Sequence, residues 1–219
     1  MFKRVTLLAI AALCLSASPV LAQSGREEAD ALIKGTGHPQ LFQNISTDEG
    51  MAVLHLASGM KCDFSPGSPD NLLRVYDPDP EQEDVGCSTS FDETAVTSYA
   101  SRYEPMPTAR DLAIGAMQAI GQRFPSIRDY EGEAVEMSSE DLPDRVTGRF
   151  VVDINGEDYL TKVIVSNVGD WSFKQRMTAP LTAASEADLE SEIYFIGLLL
   201  RVTEHLQGAD AGEDSSSGD

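Results

Sequence analysis

RVTGRFVVDINGEDYLTKVIVSNVGDWSFKQRM, residues 145–177, holds three alternating segments in a row with turn chemistry between them. In the first, Val146, Phe150, Val152 and Ile154 recur at even spacing. In the second, Tyr159, Thr161, Val163 and Val165 lie on one side and Leu160 and Ile164 on the other. In the third, Trp171, Phe173 and Met177 share a face. Asn155-Gly156 joins the first two segments, and Asn-Gly between β-prone runs predicts a two-residue hairpin because both residues tolerate positive φ. Asn167-Val168-Gly169-Asp170 supplies the second turn. The stretch therefore reads as a β-meander, and Pro180 closes it.

Outward from the meander, the other elements follow from period and punctuation. Toward the C-terminus, Ser185 and Asp188 are placed to cap a last helix, with Leu189, Ile193, Ile196 and Leu200 as its apolar stripe. Tyr194, Phe195, Leu198, Leu199, Val202 and Leu206 widen that stripe almost to the full circumference, the pattern of a helix that is buried or meets a partner. Burial against the meander is the expectation. From Gly208 onward the composition of Gly, Ala, Ser and acids predicts a disordered acidic tail. Toward the N-terminus, Tyr130–Met137 reads as a strand. Thr108 and Asp111 form a capping box for a helix that stops at Phe124-Pro125, and Gly115 and Gly121 suggest close packing of that helix on the sheet. Residues 41–46, 51–57, 60–64, 72–76, 85–91 and 94–103 read as strands, and a helix precedes them, with Ser24 and Glu27 at capping spacing and Gly35 at its end. The fold class is α+β, an antiparallel sheet with flanking helices, and an α/β/α sandwich is one such arrangement. Each half ends in a helix after a run of strands, which hints at a duplicated unit.

Lys3 and Arg4, the apolar run Val5–Leu15 and Pro19-Val20-Leu21-Ala22 have the pattern of a secretory signal peptide over residues 1–22. The run is too short for a spanning helix, so no membrane span is expected after cleavage at Gln23. Residues 23–207 suit one domain. The 219-residue chain carries 16 basic and 36 acidic residues, a net charge of −20. Cleavage removes Lys3 and Arg4 and no acid, which takes the charge near −22. Such a field disfavours nucleic acid and anionic lipid surfaces as partners. After cleavage Cys62 and Cys87 remain, and an even pair in an exported chain predicts one disulfide.

Chemistry is sparse. There is no Gly-x-Ser-x-Gly elbow, no His-Glu-x-x-His and no phosphate loop, and only His38, His55 and His205 could serve as a histidine base. His38 precedes a proline, His55 sits in an apolar strand, and His205 falls in what reads as the last helical turn, where its cation would favour the helix C-terminus. Asp77, Asp79 and Glu81 alternate like the start of a calcium loop, but Gln82 stands where the glycine belongs and Pro78 and Pro80 stiffen the segment. No cofactor is expected. The preferred reading is an exported, periplasmic or secreted, non-catalytic module that binds an envelope protein or a small ligand. One alternative is a hydrolase assembled from scattered acids and a histidine. Convergence of His55 with Asp or Glu in a cleft favours it, and a filled core around His55 counts against it. The other alternative is a calcium-responsive acidic structural protein built on Asp77, Asp79 and Glu81.

Overall fold

The computed structural model describes residues 19–137 and 142–213. The apolar run Val5–Leu15 and residues 214–219 of the expected tail lie outside the described residues. Helix α1 spans Pro19–Gly35 and is followed by β1 (Phe42–Asn44), β2 (Met51–His55) and β3 (Lys61–Phe64). Next come β4 (Leu72–Asp77), β5 (Asp84–Phe91), β6 (Thr94–Arg102) and helix α2 (Ala109–Arg123). The short β7 (Arg128–Asp129) precedes β8 (Arg145–Ile154), β9 (Glu157–Val168), β10 (Trp171–Pro180) and helix α3 (Ala184–Glu213).

The predicted meander is present. Asn155 and Gly156 take φ of 58° and 88°, so the hairpin turn has both central residues at positive φ, and Gly169 takes 56° in the second turn. Strands β1 to β3 form a small antiparallel sheet, and a seven-stranded sheet has the order β4-β5-β6-β10-β9-β8-β7. Two meanders, β4-β5-β6 and β8-β9-β10, are each followed by a helix and joined antiparallel through their last strands. This topology gives the hint of duplication a structural form.

The alternation along β9 assigns the layers. Val163 and Val165 pack with Ala113 and Ile120 of α2 on one face of the large sheet. Ile164 packs with Phe173, Phe195, Leu198 and Leu199 on the other, in a core shared with the small sheet and α1. Helices thus lie on both faces of the sheet. Helix α2 starts as expected, with the Thr108 hydroxyl accepting from the Asp111 amide at 3.1 Å. Its glycines do not make the close approach: a Cβ at Gly115 or Gly121 would meet nothing within 4 Å. The glycine that does is Gly148 of β8, where a Cβ would lie 2.6 Å from Met117 Cε of α2.

Several expectations are corrected around α3. Residues 130–137 do not form a strand; only Arg128 and Asp129 pair with β8. Their backbone is used by a buried charge network instead, with the Val135 amide donating to Asp188 Oδ2 at 2.9 Å and Arg149 Nη2 donating to the Val135 carbonyl. Asp188 is accordingly no capping residue. Its fully buried carboxylate meets Lys162 Nζ at 2.6 Å and Arg149 Nε at 3.0 Å, while Glu192 meets Lys162 at 3.0 Å and Arg145 at 3.2 Å. Burial alone would raise the Asp188 pKa, but the hydrogen bonds from Lys162, Val135 and Arg149 hold its carboxyl below the usual range.

These two acids set the rotation of α3. The inward stripe continues from Asp188 and Glu192 through Phe195, Leu199 and Val202, one position away from the stripe expected to face the core. Leu189, Ile193 and Leu200 are consequently exposed. The helix also runs past Gly208 to Glu213, so His205 is not in its last turn. His205 Nε2 instead lies 2.8 Å from the Leu56 carbonyl.

The disulfide is formed, with Cys62 and Cys87 Cα atoms 6.2 Å apart. It joins β3 of the small sheet to β5 of the large one rather than two strands of a single sheet.

Replacing both cysteines with serine is expected to lower stability by about 3 kcal/mol, because the loop they close has a sequence separation of 25. Asp188→Asn is expected to cost about 3–5 kcal/mol, because it leaves buried cations short of a counter-charge. Urea unfolding of each variant against the parent chain measures both.

Candidate functional site

The residues singled out for chemistry come first. His55 ends β2 and is fully buried. The turn that follows returns Ser58 to it, with Ser58 Oγ 2.8 Å from His55 Nδ1. The Met60 amide donates to the same hydroxyl oxygen at 3.2 Å, so the hydroxyl sits between Met60 and the Nδ1 edge of the ring, with Nε2 on the far edge. There His55 faces Glu83, with Nε2 and Oε1 2.5 Å apart. The two groups are at ion-pair distance but out of line for a hydrogen bond, and neither atom has another partner. Burial, followed by the positive fields of Arg102 and His205, lowers the His55 pKa to about 4. Burial raises the Glu83 carboxyl, and the Arg102 guanidinium opposes that rise.

A serine and an acid thus flank the histidine, and Ser58 and Glu83 were not legible as His55's neighbours. The hydrolase reading requires a cleft as well, and this cluster has none. Ser58 and His55 have no exposed surface, Phe42 and Trp171 pack on the imidazole at 5.4 and 5.5 Å, and Ser58 Oγ already accepts a backbone hydrogen bond. A substrate carbonyl cannot reach that oxygen. The cluster is a polar clasp between the small sheet and the large one. Arg102 closes its outer side by lying 4.6 Å over the Trp171 ring and donating to the Pro80 carbonyl at 2.9 Å.

Asp77, Asp79 and Glu81 do not converge. Asp77 Oδ1 accepts from the Asp79 amide and Asp79 Oδ1 from the Glu81 amide, two consecutive turns that engage the carboxylates with their own backbone. Among the described residues no group of three or more His, Cys, Asp or Glu is placed to hold a metal ion.

A surface that was not anticipated lies on the face of the large sheet that carries α2. That helix packs on β8 and β9, and its C-cap residue Phe124 reaches over to Arg176 of β10. Strand register sets Arg74, Gly86, Tyr99 and Lys174 side by side in one row across four strands. A register shift between Val75 and Asp77 brings Tyr76 over the same row, with its ring 6.1 Å from that of Tyr99 and tilted by 32°. Gly86 makes this possible: a Cβ there would lie 2.9 Å from Tyr99 and 3.1 Å from Tyr76. The tyrosines therefore lie across bare backbone, and Tyr76 is 51% exposed.

Cations border this pair. Lys174 Nζ stands 4.2 Å over the Tyr99 ring, and Arg176, one register position on, lies 5.7 Å from the Phe124 ring. Among the described residues neither has a carboxylate within 4 Å. Burial lowers the pKa of Lys174 against the pull of Asp84, and burial together with Arg123 lowers that of Arg176. Both groups are thus cations held at a cost that a bound anion would relieve. The sequence signal was the alternation itself, since Lys174 and Arg176 are the outward positions between Phe173, Gln175 and Met177. Gly86, Tyr99 and Tyr76 come from distant segments, and only the strand order unites them.

No protein-family model matches the chain, and no curated protein is similar to it in sequence.

The clasp has a pH consequence with a definite sign. Between pH 6.5 and about 4 the unfolded chain binds a proton at His55 that the folded chain refuses, so stability falls as pH drops through that window, by at most about 3 kcal/mol. Glu83 works in the opposite sense from its ordinary range upward, because the folded state holds its proton more tightly. Urea midpoints measured from pH 7 to pH 4 are expected to fall. The slope should flatten in His55→Gln and steepen in Glu83→Gln.

Proposed function

We propose that the chain is an exported, non-catalytic binding module that takes a small ring-bearing anion on the open half of its large sheet. The observation that carries this reading is the pairing of Tyr76 and Tyr99 across Gly86 beside two cations, Lys174 and Arg176, that have no carboxylate within 4 Å among the described residues. What sets these two cations apart is that both are partly buried beside aromatic rings. A flat aromatic floor beside them suits a ring with a carboxylate at its edge. The overall field works against long polyanions, whereas a single carboxylate within the Debye length of about 8 Å at physiological salt answers mainly to its nearest charges. Export is supported by the residue pattern of positions 1–22 and by the disulfide, which persists in oxidising compartments.

A second reading, a protein partner, rests on the outer stripe of α3. Leu189, Ile193 and Leu200 are 42%, 53% and 49% exposed at spacings of one and two helical turns. Crosslinked co-purification from the cell envelope, repeated with Ile193→Glu, tests it: a stoichiometric partner lost on substitution supports it.

Titration calorimetry with 2-naphthoate and with digalacturonate separates the two sources of the shared chemistry, an aromatic acid and a uronic sugar. At least one of them is expected to bind saturably, with affinity falling as salt rises. Tyr76→Ala is expected to weaken binding about five- to tenfold, the value of one stacking contact. Lys174→Met should weaken it at least as much, and Gly86→Ala should disturb it by displacing the tyrosines. If neither compound binds, or if Tyr76→Ala binds like the parent, the reading fails.

A further inference from the structure

The opposite side of the same strands carries a second feature, independent of the open face. Between α3 and the β6–β10 pair lies a cleft of about 320 Å³, within the range of small-molecule sites. Val96 of β6 and Met177 of β10 give it an apolar floor, Ala187 and Tyr194 of α3 form one wall, and Phe91 stands at the tip of the β5–β6 hairpin. Gln175 is set into this lining and is only 1% exposed. Its Oε1 accepts a hydrogen bond from Ser191 Oγ at 2.8 Å, whereas its Nε2 has no partner. A buried amide donor left unsatisfied is costly, and the residue that carries this one belongs to the lining of a cavity. The charged groups of the lining are both acids. Asp92 and Glu190 are exposed members of the lining, and they give it a negative charge.

We propose that this cleft is a binding site for a small organic cation with an apolar body and a carbonyl oxygen. The apolar body covers Val96 and Met177, the carbonyl accepts from Gln175 Nε2, and the ammonium group faces Glu190 and Asp92. Charge gives the site its selectivity. An anion of the same size and shape meets two carboxylates with no cation in the lining to answer them. The site therefore takes the opposite ligand charge from the open face, although Gln175 and Lys174 are neighbours in sequence. Alternation along β10 sends them to opposite faces of the sheet.

The test uses the full chain and three probes of one shape: phenylalaninamide (cationic), N-acetylphenylalaninamide (neutral) and N-acetylphenylalanine (anionic). Binding is followed by amide chemical-shift perturbation. Saturable shifts at Val96, Gln175 and Ser191 are expected with phenylalaninamide, with affinity at least tenfold weaker for the anionic probe. Gln175→Leu is expected to weaken phenylalaninamide binding five- to tenfold. Glu190→Gln, a substitution at an exposed position that leaves the packing intact, is expected to narrow the difference between cationic and anionic probes. Tyr76→Ala, on the other face, is expected to leave all three affinities unchanged. The proposal is overturned if phenylalaninamide gives no saturable shift at these residues, if the anionic probe binds equally well, or if both Gln175→Leu and Glu190→Gln bind like the parent.

Discussion

The antiparallel pairing of β6 with β10 is the constraint on which the rest of the structure depends. It runs from Trp171 opposite Arg102 to Thr178 opposite Ala95 and fuses two separate meanders into one sheet. The clasp, the open face and the cleft each have one leg on each of these strands. Trp171 with Arg102 closes the His55 clasp, Tyr99 with Lys174 forms the open face, and Val96 with Gln175 and Met177 floors the cleft under α3. Because side chains alternate, one ladder of backbone hydrogen bonds serves two surfaces of opposite charge preference. A slip of one residue in this register would turn Trp171, Phe173, Gln175 and Met177 outward and bring Lys174 and Arg176 into the core.

The small sheet docks through the shared apolar core, to which it gives Phe42, Met51, Val53, Met60 and Phe64, and two further contacts of different kinds fasten it. The disulfide ties β3 to β5 covalently, and the His55–Glu83 contact ties the end of β2 to the start of β5. The second depends on protonation, which makes this junction the acid-sensitive part of the fold. Toward the N-terminal end of α3, the buried cluster of Lys162, Arg149, Arg145, Asp188 and Glu192 balances charge within the sheet–helix interface. Such a cluster adds little net stability over an apolar core, but it permits only one rotation of α3. That rotation leaves the Leu189–Leu200 stripe outside and places Ser191 against Gln175.

Much of the fold was legible in local chemistry. Asn155-Gly156 specified a hairpin because few other pairs accept positive φ at both positions, and Thr108 with Asp111 specified the start of α2. The strand readings over residues 41–103 also hold, since short apolar or alternating runs were bounded by Pro, Gly and Asp. Two of the misreadings share one cause. Tyr130–Met137 has strand-like composition, but its backbone is claimed by Asp188 and Arg149, residues that no local window brings near it. Asp188 has capping spacing and instead answers Lys162. In each case a buried charge outweighed a local propensity worth far less.

The sequence alone determined that three β-segments and a capped helix would form, that two cysteines would pair, and that the chain would carry an acidic surface with the residue pattern of an exported protein. These follow from backbone sterics, hydrophobic period and charge count, which act over a few residues or over the whole chain. Tertiary structure alone decided that β6 would pair with β10, that Ser58 and Glu83 would enclose His55, that Tyr76 and Tyr99 would meet over Gly86, and that Gln175 would stand in a cleft. Those outcomes depend on strand order and on which way a helix is turned. Both are selected by the burial and pairing of residues far apart in the chain, a competition among long-range contacts that no short stretch of sequence records.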